Sequence, residues 1–241
     1  MDEPKRACGL RVAATAAVPD PLDKAWEEFA GREYSDVATR IWGLWSADAT
    51  PFYVFVLRPD VTVSERIAPV NHALTGAGIR TAIPPQFMHI TVQSLGNEGE
   101  GGLTAQIASA LADVVTNALR RIPPCGVRLA RVGPFGAGVF VAVAETDATH
   151  SFARMQRAVV DALLVADRIP VRHPDRPYLP HLSICYFDAP QPTAPILDAL
   201  TPYRATDFNL LPVEAIELVR VSGDGSLYPP METVRRIPLG G

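Results

Sequence analysis

From residue 51 onward the apolar positions switch repeatedly between the period of a strand and that of a helix. FYVFVLRP (52–59) is a dense run of aromatic and β-branched residues, the pattern of a buried strand. VSERIAPVNHALTGAG (63–78) follows at helical spacing, with Ser64 as its cap and Gly76 and Gly78 closing it. PPQFMHITVQSLG (84–96) alternates. Met88, Ile90 and Val92 take one face of a strand, and Phe87, His89 and Thr91 take the other. The loop 97–102 leads into LTAQIASALADVVTNALRRI (103–122), a strongly periodic helix stopped by Pro123 and Pro124. VRLARVGPF and GVFVAVAE (127–145) predict a hairpin around a Gly/Pro turn.

The second half repeats the theme. DATHSFARMQRAVVDALLVAD (147–167) predicts a helix, a Pro- and Arg-rich loop spans 168–180, and HLSICYF reads as a strand. A short helix at 193–200 precedes strands at 206–212, 213–222 and 233–239, with turn chemistry at Ser222–Ser226. Each half thus supplies a helix, a strand carrying His-x-[Ser/Thr], another helix and a pair of strands. The pattern is an α+β class with a degenerate two-fold repeat. Residues 1–50 stand apart: Trp26, Phe29, Val37, Ile41, Leu44 and Trp45 recur at roughly helical spacing, interrupted at Gly31. They predict an N-terminal helical extension packed on a domain of residues 51–241, with Trp26, Trp42 and Trp45 as packing anchors.

Composition adds mainly exclusions. A chain of 241 residues, 48% hydrophobic and 20% charged, has ample material for a globular core. No apolar run reaches the roughly 18–20 residues of a membrane helix, and Val12–Val18 is too weakly apolar for a secretory signal. Cys8, Cys125 and Cys185 lack CxxC spacing and read as reduced thiols of a cytoplasmic protein. No HxH, HExxH or paired-cysteine motif marks a metal site, no cofactor is implied, and no obligatory protein partner is evident. A net charge of −4 argues against wrapping long nucleic acid. Between Arg120 and Arg176, nine arginines stand against five acids, either a basic wall for one or two phosphates or a solvated helix face.

The candidate chemistry lies in the repeat. His89 and Thr91 recur as His181 and Ser183, with Leu182 and Ile184 on the opposite face, whereas His72, His150 and His173 do not fit the pattern. One copy reads as a structural histidine; two copies in corresponding places read as a site. Imidazole titrates near ~6.5, so one ring can be neutral while the other is protonated. Phosphodiester cleavage needs a proton removed from the nucleophile and another given to the leaving oxygen. A hydroxyl two residues on, ~7 Å along the strand, can donate to a nonbridging oxygen where charge grows.

The segments HITVQSLG and YLPHLSICYF, with their order and separation, resemble the two-histidine (2H) phosphoesterase superfamily. Its members include bacterial RNA 2′,3′-cyclic phosphodiesterases, also called 2′-5′ RNA ligases, and plant-type cyclic nucleotide phosphodiesterases. The likeness spans residues 51–240 and includes the early apolar strand, Leu95-Gly96, Pro180 and EAIELVRVS. It implies a bilobal, pseudo-two-fold α+β fold, with two antiparallel sheets lining a central cleft and helices outside. It also implies His89 and His181 as an acid/base pair, with Thr91 and Ser183 holding phosphoryl oxygens. The implied activity is metal-independent opening of a 2′,3′-cyclic phosphate or related phosphodiester on a nucleotide or RNA end. Which histidine is base stays open.

Where many RNA-directed members carry a basic residue after the second motif, this chain has Cys185-Tyr186-Phe187. Tyr186 and Phe87 either stack on a base or pack. Arg176 and Tyr178 either reach a phosphate or base from the preceding loop or are solvated. Strand alternation puts Cys185 with His181 and Ser183, although a buried inert thiol is the commoner case. Two rival functions remain: a phosphoesterase for a small phosphorylated metabolite or signalling nucleotide, and a nucleotide or RNA-end binding module without turnover.

Overall fold

The computed structural model describes residues 21–30, 46, 48–135, 138–144, 150–166, 179–187 and 192–240. Its strands are β1 (Phe52–Leu57), β2 (Ile90–Asn97), β3 (Cys125–Phe135), β4 (Gly138–Val143), β5 (His181–Tyr186), β6 (Asp207–Val213), β7 (Ala215–Val221) and β8 (Met231–Pro238). All pair antiparallel in one sheet of order β6-β3-β4-β5-β2-β1-β7-β8. The two sheets expected from the resemblance are its two four-stranded halves. They join between β2 and β5 at a single residue pair, Ile90 with Leu182.

Five α-helices accompany the sheet among the described residues: α1 (Pro21–Ala30), α2 (Val61–Gly76), α3 (Ala105–Leu119), α4 (Ser151–Val165) and α5 (Thr193–Leu200). The units β1-α2-β2-α3 and β4-α4-β5-α5 correspond across the joint, which is the repeat read from the sequence. The helix α2 begins at Asp60, whose carboxylate accepts the Val63 N–H, so Ser64 is not its cap. Ser64 sits inside the helix with its hydroxyl on the Met88 sulfur. The helix ends in a left-handed Gly78 (φ 94°), after which the Ile79 N–H returns to the Leu74 carbonyl. Thr104 caps α3 by accepting the Ile107 N–H.

The core fills the layer between helices and sheet. Ile67, Val70 and Leu74 of α2, Leu111 and Val115 of α3, and Met155 and Val159 of α4 bury against Phe55, Ile90, Leu182 and Ile184. Helix α1 joins this same core through Leu22, Trp26 and Phe29. The Trp26 indole donates to the Val132 carbonyl at 3.1 Å, and Arg204 lies over its ring at 4.9 Å. Gly133 makes the approach possible, since a Cβ there would meet a Leu22 methyl at 2.2 Å. Trp42 and Trp45 lie outside the described residues.

Two arginines of the arginine-rich stretch pair with acids of other elements. Arg128 pairs with Asp207, and Arg131 shares Asp23 with Arg204 at 2.8 and 2.9 Å. These pairs tie β3 to β6 and to α1. No helix among the described residues is long and apolar enough to cross a membrane.

Candidate active site

The joint between the halves positions both motifs. Ile90 faces Leu182 across an antiparallel pair, and both side chains are fully buried. Continuing that register by one residue sets His89 opposite Ser183 and Thr91 opposite His181, all on the opposite face from that pair. The two histidines are then diagonal neighbours, a relationship that places Cβ atoms roughly 7–8 Å apart. All four side chains are half-buried, as alternation predicts for a strand with one face in the core.

Each imidazole is held in the same way. His89 Nδ1 lies 2.9 Å from the Phe87 carbonyl oxygen, and His181 Nδ1 lies 2.8 Å from that of Leu179. A carbonyl only accepts, so each ring carries its proton on Nδ1 when neutral, and each Nε2 is the nitrogen left for a ligand. Burial holds both histidines below their ordinary pKa, against the opposing effect of these carbonyl bonds. For His89 the nearby Arg58 guanidinium and His181 push the same way. Arg58 is itself fixed, bonding Glu217 at 2.9 Å and the Gln86 and Met231 carbonyls at 3.1 Å. That clamp ties the turn before His89 to β7 and β8. Phe135 and Phe140 flank His181, with ring centroids 5.7 and 5.3 Å away.

Phe87 lies in a short 3-10 turn, Pro85–Phe87, rather than on the strand expected there. Prolines at 84 and 85 withhold two backbone donors, so pairing starts at Ile90. Beyond Thr91 strand alternation fails. The β1–β2 register shifts between Gln93 and Thr91 and again between Gly96 and Ser94, so β2 carries two bulges. The half-buried positions accordingly run Thr91, Ser94, Asn97, while Gln93 is buried. Gln156 of α4 donates to the Val92 carbonyl at the first bulge, at 3.2 Å.

A third bulge corrects the expectation for Cys185. The β4–β5 register shifts between Ser183 and Cys185, leaving Ile184 as an extra residue. Ile184 and Cys185 are both fully buried, and Tyr186 is the side chain returned toward the cleft. Its hydroxyl meets Ser183, and burial raises its pKa against that bond.

These shifts build a cavity of about 220 Å³ beside the first motif. His89, Thr91, Ser94, Phe87 and Tyr186 line it together with Tyr228 from the β7–β8 connection. Its floor is the apolar sheet face of Phe52, Val54, Val221 and Met231. Tyr228 donates to the Thr81 carbonyl at 2.6 Å and stacks between Phe87 and Tyr186, at 5.9 and 6.5 Å. Thr81 in turn donates to the Tyr186 carbonyl.

The residues expected to matter therefore meet: His89, Thr91, Phe87 and Tyr186 share the cavity, and His181 and Ser183 stand across the joint. Arg176 and Tyr178 lie outside the described residues.

Comparison with known proteins decides the kinship. A family model described as the 2′-5′ RNA ligase superfamily matches residues 59–225. The chain belongs to the 2′-5′ RNA ligase superfamily. Solved structures share the superfamily chain's fold at low identity. TT0787 of Thermus thermophilus is 22% identical over 79% of this chain and 98% of its own, with a TM-score of 0.55. E. coli LigT in its apo form is 15% identical over 80% of this chain and 100% of its own, with a TM-score of 0.56. LigT complexed with ATP is 12% identical over 80% and 99%, with a TM-score of 0.55. No curated protein matches the sequence.

Within this superfamily frame, sequence reasoning passed over Ser94, Tyr228, Arg58, Phe135 and Phe140. Ser94 is visible only through the bulges. Tyr228 lies in a connection whose turn residues hide its partners, and Arg58 and the two phenylalanines approach the histidines from separate strands.

Proposed function

We propose that this protein opens 2′,3′-cyclic phosphates on a nucleotide or RNA end by two-histidine acid/base catalysis. The observation that carries the reading is the antiparallel crossing of His89-Ile90-Thr91 with His181-Leu182-Ser183, each Nδ1 tied to a carbonyl. A phosphoryl group between the two Nε2 atoms meets a base on one side and an acid on the other. The neutral imidazole takes a proton from water as its oxygen attacks phosphorus. The protonated one gives its proton to the departing ribose oxygen, leaving a phosphomonoester. In the reverse direction the two rings exchange roles.

Low histidine pKa values suit the base, and the anionic phosphodiester favours protonation of the other ring on binding. Thr91 and Ser183 donate to nonbridging oxygens as their charge grows. Phe87 and Tyr186 offer ring faces to a base, and Arg176 and Tyr178, outside the described residues, are proposed from the sequence as further substrate-binding residues. No metal ion or cofactor enters these steps. The solved relatives include LigT complexed with 3′-AMP, which supports nucleotide-sized ligands as the class to try.

A second reading, a small phosphorylated metabolite or signalling nucleotide, is favoured by the apolar lining around His89. The test is a chromatographic product assay in EDTA. It compares the four 2′,3′-cyclic nucleotides, a 3′,5′-cyclic nucleotide and a short RNA ending in a cyclic phosphate. Opening of 2′,3′-cyclic substrates supports the proposal, and the regioisomer formed names the leaving oxygen. Silence across the panel refutes it and leaves the metabolite reading or binding without turnover.

A further inference from the structure

We infer that Ser94 is a specificity-determining residue, whose hydroxyl reads the polar edge of a single uncharged planar group, a nucleobase, carried by the substrate. The inference rests on the two-histidine reading above. Simple alternation puts Gln93 beside His89 and Thr91, but the bulges of β2 deliver Ser94 instead. Ser94 pairs with Val54 on β1, at the apolar floor. Its hydroxyl has no protein partner among the described residues, although it lines a largely apolar cavity. A polar group in such a place is satisfied by water or by a ligand.

The rest of the cavity narrows the ligand. At about 220 Å³ it is smaller than the roughly 300–1,000 Å³ of drug-sized pockets and suits one ring system. Apart from His89, beside which the phosphate would sit, no lining residue among those described is ionisable near neutral pH, so a second charged group would enter without a partner. The near-parallel rings of Phe87, Tyr228 and Tyr186, inclined at 26° and 28° with Tyr228 stacked between the other two, line an aromatic wall of the cavity. A base held on that wall would leave its phosphate beside His89 and Thr91, in the same cavity.

The experiment measures kcat/KM for each 2′,3′-cyclic nucleotide and for a baseless 1,2-diol cyclic phosphate, in wild type, Ser94→Ala and Ser94→Leu. The readout is the ratio of base-bearing to baseless turnover. Ser94→Leu should lower that ratio at least about tenfold by filling the cavity. Ser94→Ala should lower it about 3–10-fold for the preferred base, mostly through KM, as loss of one neutral hydrogen bond requires. Ser94→Ala carries the test if Ser94→Leu does not fold. A wild-type ratio in Ser94→Ala, or in a folded Ser94→Leu protein, overturns the inference while leaving two-histidine catalysis standing. Wild-type failure on every cyclic phosphate, baseless included, overturns the underlying reading and the inference with it.

Discussion

Gly138 links the integrity of the sheet to the placement of Tyr186. It pairs with Tyr186 at the end of β4, and a Cβ there would lie 2.0 Å from the Cys185 carbonyl oxygen. The same Cβ would lie 2.9 Å from the Cys185 carbonyl carbon and the Tyr186 Cα. All three are backbone atoms, so no side chain can rotate away, and β5 must move by roughly 1 Å to reach ordinary contact. Gly138→Ala therefore loses a ladder hydrogen bond and adds overpacking, about 2–4 kcal/mol together. Gly126→Ala is the control, because its Cβ meets only the Leu210 side chain, at 3.2 Å or more. That variant should stay within about 1 kcal/mol of wild type, given the small backbone benefit of alanine in a strand. Urea unfolding of the three proteins gives the comparison. Equal midpoints for Gly138→Ala and wild type would refute the argument from close approach.

Trp26→Ala should cost about 3–5 kcal/mol of unfolding free energy, because Trp26 is buried and its indole satisfies the Val132 carbonyl; a loss under about 1 kcal/mol would show that α1 is not part of the cooperative core. Stability should also depend on the two histidines. Their folded pKa values lie below ordinary ones, so this contribution is complete above the unfolded value near ~6.5 and is lost as pH falls through the folded values. The His89→Asn/His181→Asn double variant should show a flatter pH dependence of unfolding midpoint in that window, and an unchanged slope contradicts the assignment. The pH profile of kcat/KM on a cyclic nucleotide should be bell-shaped, with its maximum below the ~6.5 of free imidazole; a maximum well above it contradicts both lowered values.

Alternation read the faces of Met88 to Val92 and of His181 to Ile184 correctly, because within each short segment a core lies on one side only. It failed one step further, at Ser94 and Cys185, because β2 takes two extra residues and β5 takes one. A bulge is set by the partner strand and by groups such as Gln156, none of them adjacent in sequence. The cap of α2 was misplaced for a local reason: Asp60 and Ser64 both stand near the first turn, and only geometry shows that Asp60 reaches the Val63 N–H. The arginine count saw chain neighbours, whereas Arg128 and Arg131 find Asp207 and Asp23 from distant elements. The repeat itself was legible because each half must bury its own strand and helices.

The central claim is that His89 and His181 act together on one phosphorus. The most direct measurement is single-turnover opening of a 2′,3′-cyclic nucleotide by wild type, His89→Ala and His181→Ala, with folding checked by thermal unfolding. Positioned proton transfer contributes roughly 10²–10⁴-fold, so each variant should lose at least about a hundredfold in rate. The double variant should be little worse than either single, since the two rings serve one step. Full turnover by both single variants would contradict the account.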